Sequence, residues 1–117
     1  MSTLTMKLIQ INVLLLLLLG TISIQGQSIT AMSFNIRYDN PNDNENKWDN
    51  RKEEVVKLIE KHHPAFLGIQ EGLYNQVEYI ENNTSHYTYI GVGRDDGDKK
   101  GEFVALYYDT TKLILKS

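Results

Sequence analysis

Leu67-Gly68-Ile69-Gln70-Glu71 ends a short apolar run with two polar side chains. Earlier in the chain, Ser33-Phe34-Asn35 ends another such run with one polar side chain, that of Asn35. Both runs have the composition of buried strands. The carboxyl ends of neighbouring parallel strands meet at one edge of an open α/β sheet, which is where ligands usually bind. We therefore expect Asn35 and Glu71 to converge where a hard divalent cation would sit against a phosphate. The chemistry this predicts is metal-assisted phosphoester cleavage.

Each of these two residues alone is ambiguous. A glutamate at this position is also compatible with a solvated residue that caps the next helix. An asparagine often closes a strand by bonding to its own backbone. Only their combination, at equivalent ends of adjacent strands, favours a ligand site.

Hydrophobic periodicity outside these stretches predicts alternating strands and helices. In chain order we predict a strand over 28–36, a surface loop over 39–49 and a helix from a capping-box-like Asn50 to the residue before Pro64. A strand at Phe66–Glu71 and a helix over 74–82 follow. The chain then continues with strands over 87–92 and 102–108, joined by a turn at 95–101, and with the start of a strand at 113–115. This order is typical of an α/β sheet with helices packed on it.

The N-terminus has the pattern of a secretory signal peptide. Lys7 precedes an apolar stretch from Leu8 to Leu19, and a small-residue exit follows around Gly20 to Ser28. We expect residues 1–26 to be removed after Gly26 and the protein to be secreted or periplasmic, with a retained signal anchor as the alternative. The apolar run is shorter than the roughly 20 residues of a membrane-spanning helix, so no stable membrane partner is expected.

Composition excludes two classes of protein. The chain has no cysteine, which rules out a disulfide framework. Its formal net charge is −3, and without Lys7 it becomes −4 because 11 basic residues then face 15 acidic ones. A nonspecific nucleic-acid binder normally shows a basic field. Long duplex DNA is therefore not an expected partner.

Several segments together resemble the endonuclease/exonuclease/phosphatase superfamily, and within it the secreted bacterial metal-dependent hydrolases. They are Asn35-Ile36-Arg37-Tyr38, the asparagine-rich loop ending in Trp48, Arg51, Gln70-Glu71, and the stretch from Gly91 to Gly97 with Gly101-Glu102-Phe103. The resemblance runs from about Ile29 to the end of the chain, so residues 27–117 are identified as the N-terminal portion of such a domain. It covers only the first part of the family's fold.

This resemblance implies a DNase I-like fold, a four-layered α/β sandwich, with Mg²⁺, or Mn²⁺ as an alternative, at the strand ends. By the family pattern Asn35 and Glu71 would be the catalytic and metal-binding residues. Glu71 would bind the metal, Asn35 would orient the scissile phosphate or the metal-bound water, and Gln70 would support Glu71. Many relatives carry an acidic residue two positions after the asparagine, where this chain has Arg37. Its forked guanidinium would contact phosphate instead.

In the similar secreted proteins the stretch that contains Arg94, Asp96 and Glu102 borders the substrate pocket, so the resemblance implies a substrate-binding role for these three residues. A charged, soluble turn with Asp-Gly geometry is the alternative. Trp48 would either stack on a sugar or base or serve as an apolar staple at the helix entry.

The family mechanism also uses an Asp-x-Asn segment and a terminal Asp-His pair, and neither occurs here. The resemblance therefore predicts a truncated or fragmentary phosphoesterase that is inactive alone. Its substrate would be a phosphorylated small molecule or a short nucleic acid, with phosphodiesters and phosphomonoesters both open. The alternatives are a non-catalytic phosphate-binding module and an unrelated α/β interaction domain.

Overall fold

The structure, a computed structural model, describes residues 1–19 and 26–116. Its elements in chain order are α1 (Thr3–Leu19), β1 (Ala31–Asn35), a 3-10 turn (Asn44–Asn46), α2 (Trp48–His62), β2 (Phe66–Gly72), α3 (Tyr74–Asn83), β3 (Tyr87–Ile90) and β4 (Phe103–Asp109). The predicted order of strands and helices after the N-terminal segment is confirmed. The predicted strand at 113–115 is wrong, since these residues follow a turn in irregular conformation.

The N-terminal segment forms the 17-residue helix α1. Within the two described ranges, no helix has both the length and the apolar character needed to cross a membrane. The predicted exit from the signal peptide begins at residues 20–25, which lie outside the described residues. The predictions of cleavage and of location therefore stay predictions.

The four strands form one sheet in the order β1-β2-β4-β3. Strands β1 and β2 are parallel, with Asn35 opposite Gln70, whereas β4 runs antiparallel to both β2 and β3. The C-terminal ends of β1 and β2 therefore lie at the same edge of the sheet as the N-terminal end of β4. We call this the site edge.

Helices α2 and α3 pack together and cover one face of the sheet. Their buried apolar residues recur at helical spacing, Val55 and Ile59 in α2 and Val77 and Ile80 in α3. Trp48 also lies in this core, 4% exposed, with its ring edge-on to Tyr79 at 5.9 Å between centroids. Trp48 is therefore a core residue at the helix entry, which agrees with the apolar staple of the two alternatives rather than with stacking on a ligand.

The other face of the sheet keeps apolar side chains in contact with solvent. Val104 is 82% exposed, and Ile90 and Leu106 are also exposed. The described residues thus provide a helical layer and a sheet layer, two of the four layers that the resemblance implies.

Helix α2 begins earlier than the capping-box pattern predicts. Its first residue is Trp48 and its N-cap is Lys47, whose side chain makes no capping hydrogen bond. The Asn50 amide instead donates to the carbonyl of Glu45, which belongs to the 3-10 turn. The C-terminal end is as predicted: His63 adopts a left-handed conformation, and Pro64 follows.

The buried carboxylate of Asp109 stabilises the edge of the sheet opposite the site edge. Asp109, at the end of β4, is fully buried, and its Oδ1 accepts hydrogen bonds from the backbone N–H and the hydroxyl of Thr111. Its Oδ2 forms ion pairs with Lys112 Nζ at 3.0 Å and, when the imidazole is protonated, with His63 Nε2 at 3.1 Å. These contacts tie the end of α2 to the end of the sheet.

Candidate metal and phosphate site

Asn35 and Glu71 meet at the site edge. The Asn35 Nδ2 atom donates a hydrogen bond to Glu71 Oε1 at 2.7 Å. The expected convergence of the two side chains is present, and the parallel pairing of β1 with β2 brings the two strand ends together. Their catalytic and metal-binding roles stay predictions.

An irregularity in β2 turns the Glu71 side chain toward Asn35. Asn35 lies opposite Gln70, so a regular strand would direct the next residue, Glu71, to the other face of the sheet. The register of β2 with β4 shifts between Ile69 and Gly72, and Glu71 has a φ of 62°. Such a bulge re-aims a side chain, and a left-handed glutamate is a strained conformation that is typical of functional sites.

The surroundings of Glu71 favour its ionised form. Its Oε2 accepts a hydrogen bond from the backbone N–H of Tyr38 at 3.2 Å. The hydrogen bond from Asn35 lowers the pKa of the Glu71 carboxyl most, followed by the Tyr38 N–H, and the charge of Arg37 adds a smaller effect. Glu71 is therefore a carboxylate at neutral pH.

Glu71 has the chemistry of a magnesium ligand. Each of its oxygens accepts one hydrogen bond from the protein and keeps a second lone pair for a cation. Magnesium is commonly held by one or two protein carboxylates and keeps several of its waters. Within residues 1–19 and 26–116, no group of three or more His, Cys, Asp or Glu side chains is placed to hold a metal ion. A cation at this point would bind through the Glu71 carboxylate.

The hydrogen bonds of Asn35 show which of its side-chain atoms is directed at Glu71, while its predicted role as a metal ligand stays a prediction. The Asn35 Oδ1 atom accepts a hydrogen bond from the backbone N–H of Arg37 at 2.8 Å, so the side chain presents its NH₂ group to Glu71. An Asn35 oxygen is thus not directed at an ion bound to Glu71. The arrangement favours Asn35 as a hydrogen-bond donor whose NH₂ group orients the Glu71 carboxylate and an oxygen of an adjacent phosphate.

Arg37 lies directly after this pair in a left-handed conformation with a φ of 61°. Its Nη2 atom forms an ion pair with Asp43 Oδ1 at 2.6 Å, and its side chain is 55% exposed. A guanidinium has five N–H donors in a planar fork. The remaining donors of Arg37 are compatible with the predicted phosphate contact, which stays a prediction.

The predicted substrate residues Arg94, Asp96 and Glu102 lie in the connection from β3 to β4, and Phe103 pairs with Gly72 at the site edge. Arg94 Nη1 and Glu102 Oε2 pair at 2.7 Å. Asp96 Oδ1 accepts hydrogen bonds from the backbone N–H groups of Lys100 and Asp98, which lower the pKa of the Asp96 carboxyl. These contacts shape the turn, and substrate binding by the three residues stays a prediction.

Gln70 does not support Glu71 in the way the family pattern implies. Its Nε2 atom donates to Ser33 Oγ at 3.3 Å and to the carbonyl of Gly68 at 3.2 Å. Its side chain therefore bonds along the sheet to β1 and β2 rather than to Glu71.

Two residues at the site have roles that the sequence did not predict. Arg51 of α2 and Gln76 of α3 donate hydrogen bonds to the carbonyl groups of the loop that follows β1. Arg51 is one of the residues that carry the family resemblance, but its position in the helical pattern indicated no function. Gln76 offered one signal, an uncharged polar residue next to the apolar Val77, and it is fully buried.

Comparisons with known proteins identify the family and the fold to which the chain is similar. The profile of the Endonuclease/Exonuclease/phosphatase family matches residues 32–115. An endonuclease/exonuclease/phosphatase from Bacteroides vulgatus has 41% identity and a TM-score of 0.71, over 74% of this chain and 33% of that chain. A Bacteroides thetaiotaomicron VPI-5482 mannosyl-6-phosphatase has 35% identity and a TM-score of 0.68, over 72% of this chain and 32% of that chain.

A functionally unknown conserved protein from Enterococcus faecalis V583 has 34% identity and a TM-score of 0.63, over 68% of this chain and 31% of that chain. A comparison with curated proteins found no significant match. The chain thus spans about a third of the length of each of these solved structures.

Proposed function

The chain belongs to the endonuclease/exonuclease/phosphatase family, and from this we propose that it supplies the metal-binding part of a magnesium-dependent phosphoesterase. The observation that carries the proposal is the Asn35–Glu71 hydrogen bond at the ends of two parallel strands. An ionised carboxylate held there by two donors suits a hard cation, and a guanidinium lies next to it.

In this proposal Glu71 holds the cation, which would polarise the phosphoryl oxygens of the substrate. The NH₂ group of Asn35 fixes the Glu71 carboxylate and has a second N–H available for a phosphate oxygen. Arg37 balances the negative charge of the phosphate with the guanidinium donors that Asp43 leaves free. The remaining catalytic groups of the family would come from outside the part of the fold that this chain spans.

We propose a phosphomonoester of a sugar as the substrate class. The support comes from the 35% identical relative, which is a mannosyl-6-phosphatase. The net charge of −3 also favours a small substrate over a long polyanion, whose binding needs a basic field.

Metal binding by the full chain tests the role of Glu71. We expect Mg²⁺ to bind in a calorimetric titration, and Glu71→Gln to lose this binding because an amide replaces the carboxylate ligand. Glu54→Gln is the matched control, since Glu54 lies on the exposed side of α2 and pairs only with Lys57 in the described structure. Equal Mg²⁺ affinity in the Glu71→Gln variant and the wild type would refute the metal site.

A chimera tests the reaction. Residues 26–116 would replace the matching third of the mannosyl-6-phosphatase, and hydrolysis of a mannosyl 6-phosphate would be measured with and without Mg²⁺. We expect magnesium-dependent activity that Glu71→Gln abolishes and Glu54→Gln leaves intact. A folded chimera that binds Mg²⁺ but hydrolyses neither phosphomonoesters nor phosphodiesters would support the non-catalytic phosphate-binding module instead.

We also propose that residues 1–26 act as a signal peptide that directs the protein out of the cytoplasm. The support is the basic residue Lys7 followed by an apolar run, both of which lie within α1. Expression in a bacterial host with N-terminal sequencing of the exported fraction tests this. We expect a new N-terminus at Gln27, and retention of Met1 in the cell membrane would favour the signal anchor.

A further inference from the structure

Two consecutive peptide groups after β1 direct their N–H groups at the candidate site. The peptide group that joins Ile36 to Arg37 donates its N–H to Asn35 Oδ1 at 2.8 Å. The next one, which joins Arg37 to Tyr38, donates its N–H to Glu71 Oε2 at 3.2 Å. The orientation of the site's two side chains therefore depends on the orientation of these two peptide planes.

The carbonyl groups of the same two peptide groups are held from behind by α2 and α3. The Ile36 carbonyl accepts a hydrogen bond from Arg51 Nη1 at 2.7 Å. The Arg37 carbonyl accepts one from Arg51 Nη2 at 3.2 Å and one from Gln76 Nε2 at 3.0 Å. Because C=O and N–H point in opposite directions across a trans peptide, fixing each oxygen also fixes the direction of the N–H.

The two residues that hold these carbonyls are themselves firmly placed. Gln76 is fully buried, and its Oε1 accepts hydrogen bonds from the N–H groups of Leu73 and Asp39. Gln76 thus holds the peptide group on each side of Tyr38. The Arg51 Nε atom donates to the carbonyl of Asn46, and its guanidinium lies 5.7 Å from the centroid of the Trp48 ring. Both side chains are anchored in helices that pack on the sheet.

We propose that Arg51 and Gln76 are positioning residues of the metal site, acting through the peptide groups 36–37 and 37–38 on Asn35 and Glu71. The proposal rests on the proposed function, since it concerns the same Glu71 carboxylate. Neither residue contacts the cation or the phosphate. Partners behind a metal site of this kind typically change metal affinity by 10-fold to 100-fold when they are replaced.

Two conservative variants of the full chain test the proposal. Gln76→Glu keeps the shape of the side chain and the oxygen that Leu73 and Asp39 use, but it places an acceptor against the Arg37 carbonyl. Arg51→Lys keeps the charge, but an ammonium group cannot reproduce the planar fork that spans two carbonyls. Tyr87→Phe is the matched control, because it removes a buried hydroxyl that donates to the Pro64 carbonyl, away from the loop.

Two measurements are needed, Mg²⁺ affinity by titration and hydrogen exchange of the Arg37 and Tyr38 amides by NMR. We expect about a 10-fold weaker affinity for Mg²⁺ and about 10-fold faster exchange at both amides in Arg51→Lys. In Gln76→Glu we expect the same loss of Mg²⁺ affinity, and the same increase in exchange rate at the Tyr38 amide. Tyr87→Phe lowers stability but leaves both quantities at their wild-type values.

Wild-type exchange rates and Mg²⁺ affinity in a folded Arg51→Lys variant would overturn the proposal. Arg51→Lys also decides the matter if Gln76→Glu does not fold, since Arg51 is only partly buried. If the wild-type chain binds no Mg²⁺, the proposed function fails, and amide exchange still shows whether Arg51 and Gln76 orient the two peptide groups.

Discussion

Replacing Asp109 by asparagine is expected to lower the free energy of unfolding by about 2 kcal/mol. The carboxylate is fully buried and faces Lys112 and His63 at 3.0 and 3.1 Å. Breaking a wholly buried ion pair costs about 3 to 5 kcal/mol. The cost here is smaller because the Lys112 and His63 side chains are 45% and 43% exposed and regain water. A hydrogen bond to a charged group, about 1.5 to 3 kcal/mol, is the closer reference.

The same substitution should remove a pH dependence of stability. Burial raises the pKa of Asp109, but the hydrogen bonds from Thr111 and the charge of Lys112 outweigh burial and lower the pKa from 3.8 to about 2. Because the folded-state pKa lies below the unfolded one, the carboxylate stabilises the fold above about pH 4. This stabilisation is lost as the pH falls from about 4 to about 2.

Urea unfolding followed by the fluorescence of Trp48, which is the chain's single tryptophan and is buried, measures both effects. The wild type and Asp109→Asn would be compared at pH 7 and near pH 2. Asp49→Asn is the control, because it removes a carboxylate that is 82% exposed and should change little. Equal stability of Asp109→Asn and wild type at pH 7, or a difference that is as large near pH 2, would refute the reasoning.

Two further outcomes follow from the structure. Asn35→Ala should raise the pKa of the Glu71 carboxyl, because the Asn35 hydrogen bond is the largest cause of its lowering; a ¹³C NMR titration that shows no rise would contradict this. Gly91→Ala should lower the free energy of unfolding by about 2 kcal/mol. Gly91 has a φ of 148° and its added Cβ would lie 2.8 Å from the Val104 carbonyl oxygen. Urea unfolding measures the change, and wild-type stability would contradict it.

The sequence predicted the elements well where apolar periodicity agrees with the residues that end helices and strands. Alternation around Met32–Asn35 and the compact run at Phe66–Ile69 both correspond to strands, and Pro64 marks the end of α2 as expected. The start of α2 was missed because its N-cap is Lys47, which offers no side-chain signal. The apolar residues at 113–115 suggested a strand, but within the described range they have no partner strand, and strand structure depends on pairing.

The convergence of Asn35 and Glu71 was predictable from the sequence, while their roles stay predictions. Strand ends and residue chemistry were enough to bring Asn35 and Glu71 together. The direction of Glu71 was not predictable, because it depends on a bulge and on a left-handed backbone at a glutamate, a residue type that does not signal this conformation. The contributions of Arg51 and Gln76 depend on contacts between α2, α3 and a loop distant in sequence, and such contacts leave no periodic pattern.

The strand order has a consequence for the time at which the sheet assembles during translation. The ribosome makes β4 last of the four strands, yet β4 lies between β2 and β3. Strand β3 therefore emerges without a neighbour, and β2 without one on that side, until residues 103–109 have left the exit tunnel. Domains generally fold as units during synthesis. The nascent chain consequently keeps an incomplete core, open to chaperones, until β4 has emerged.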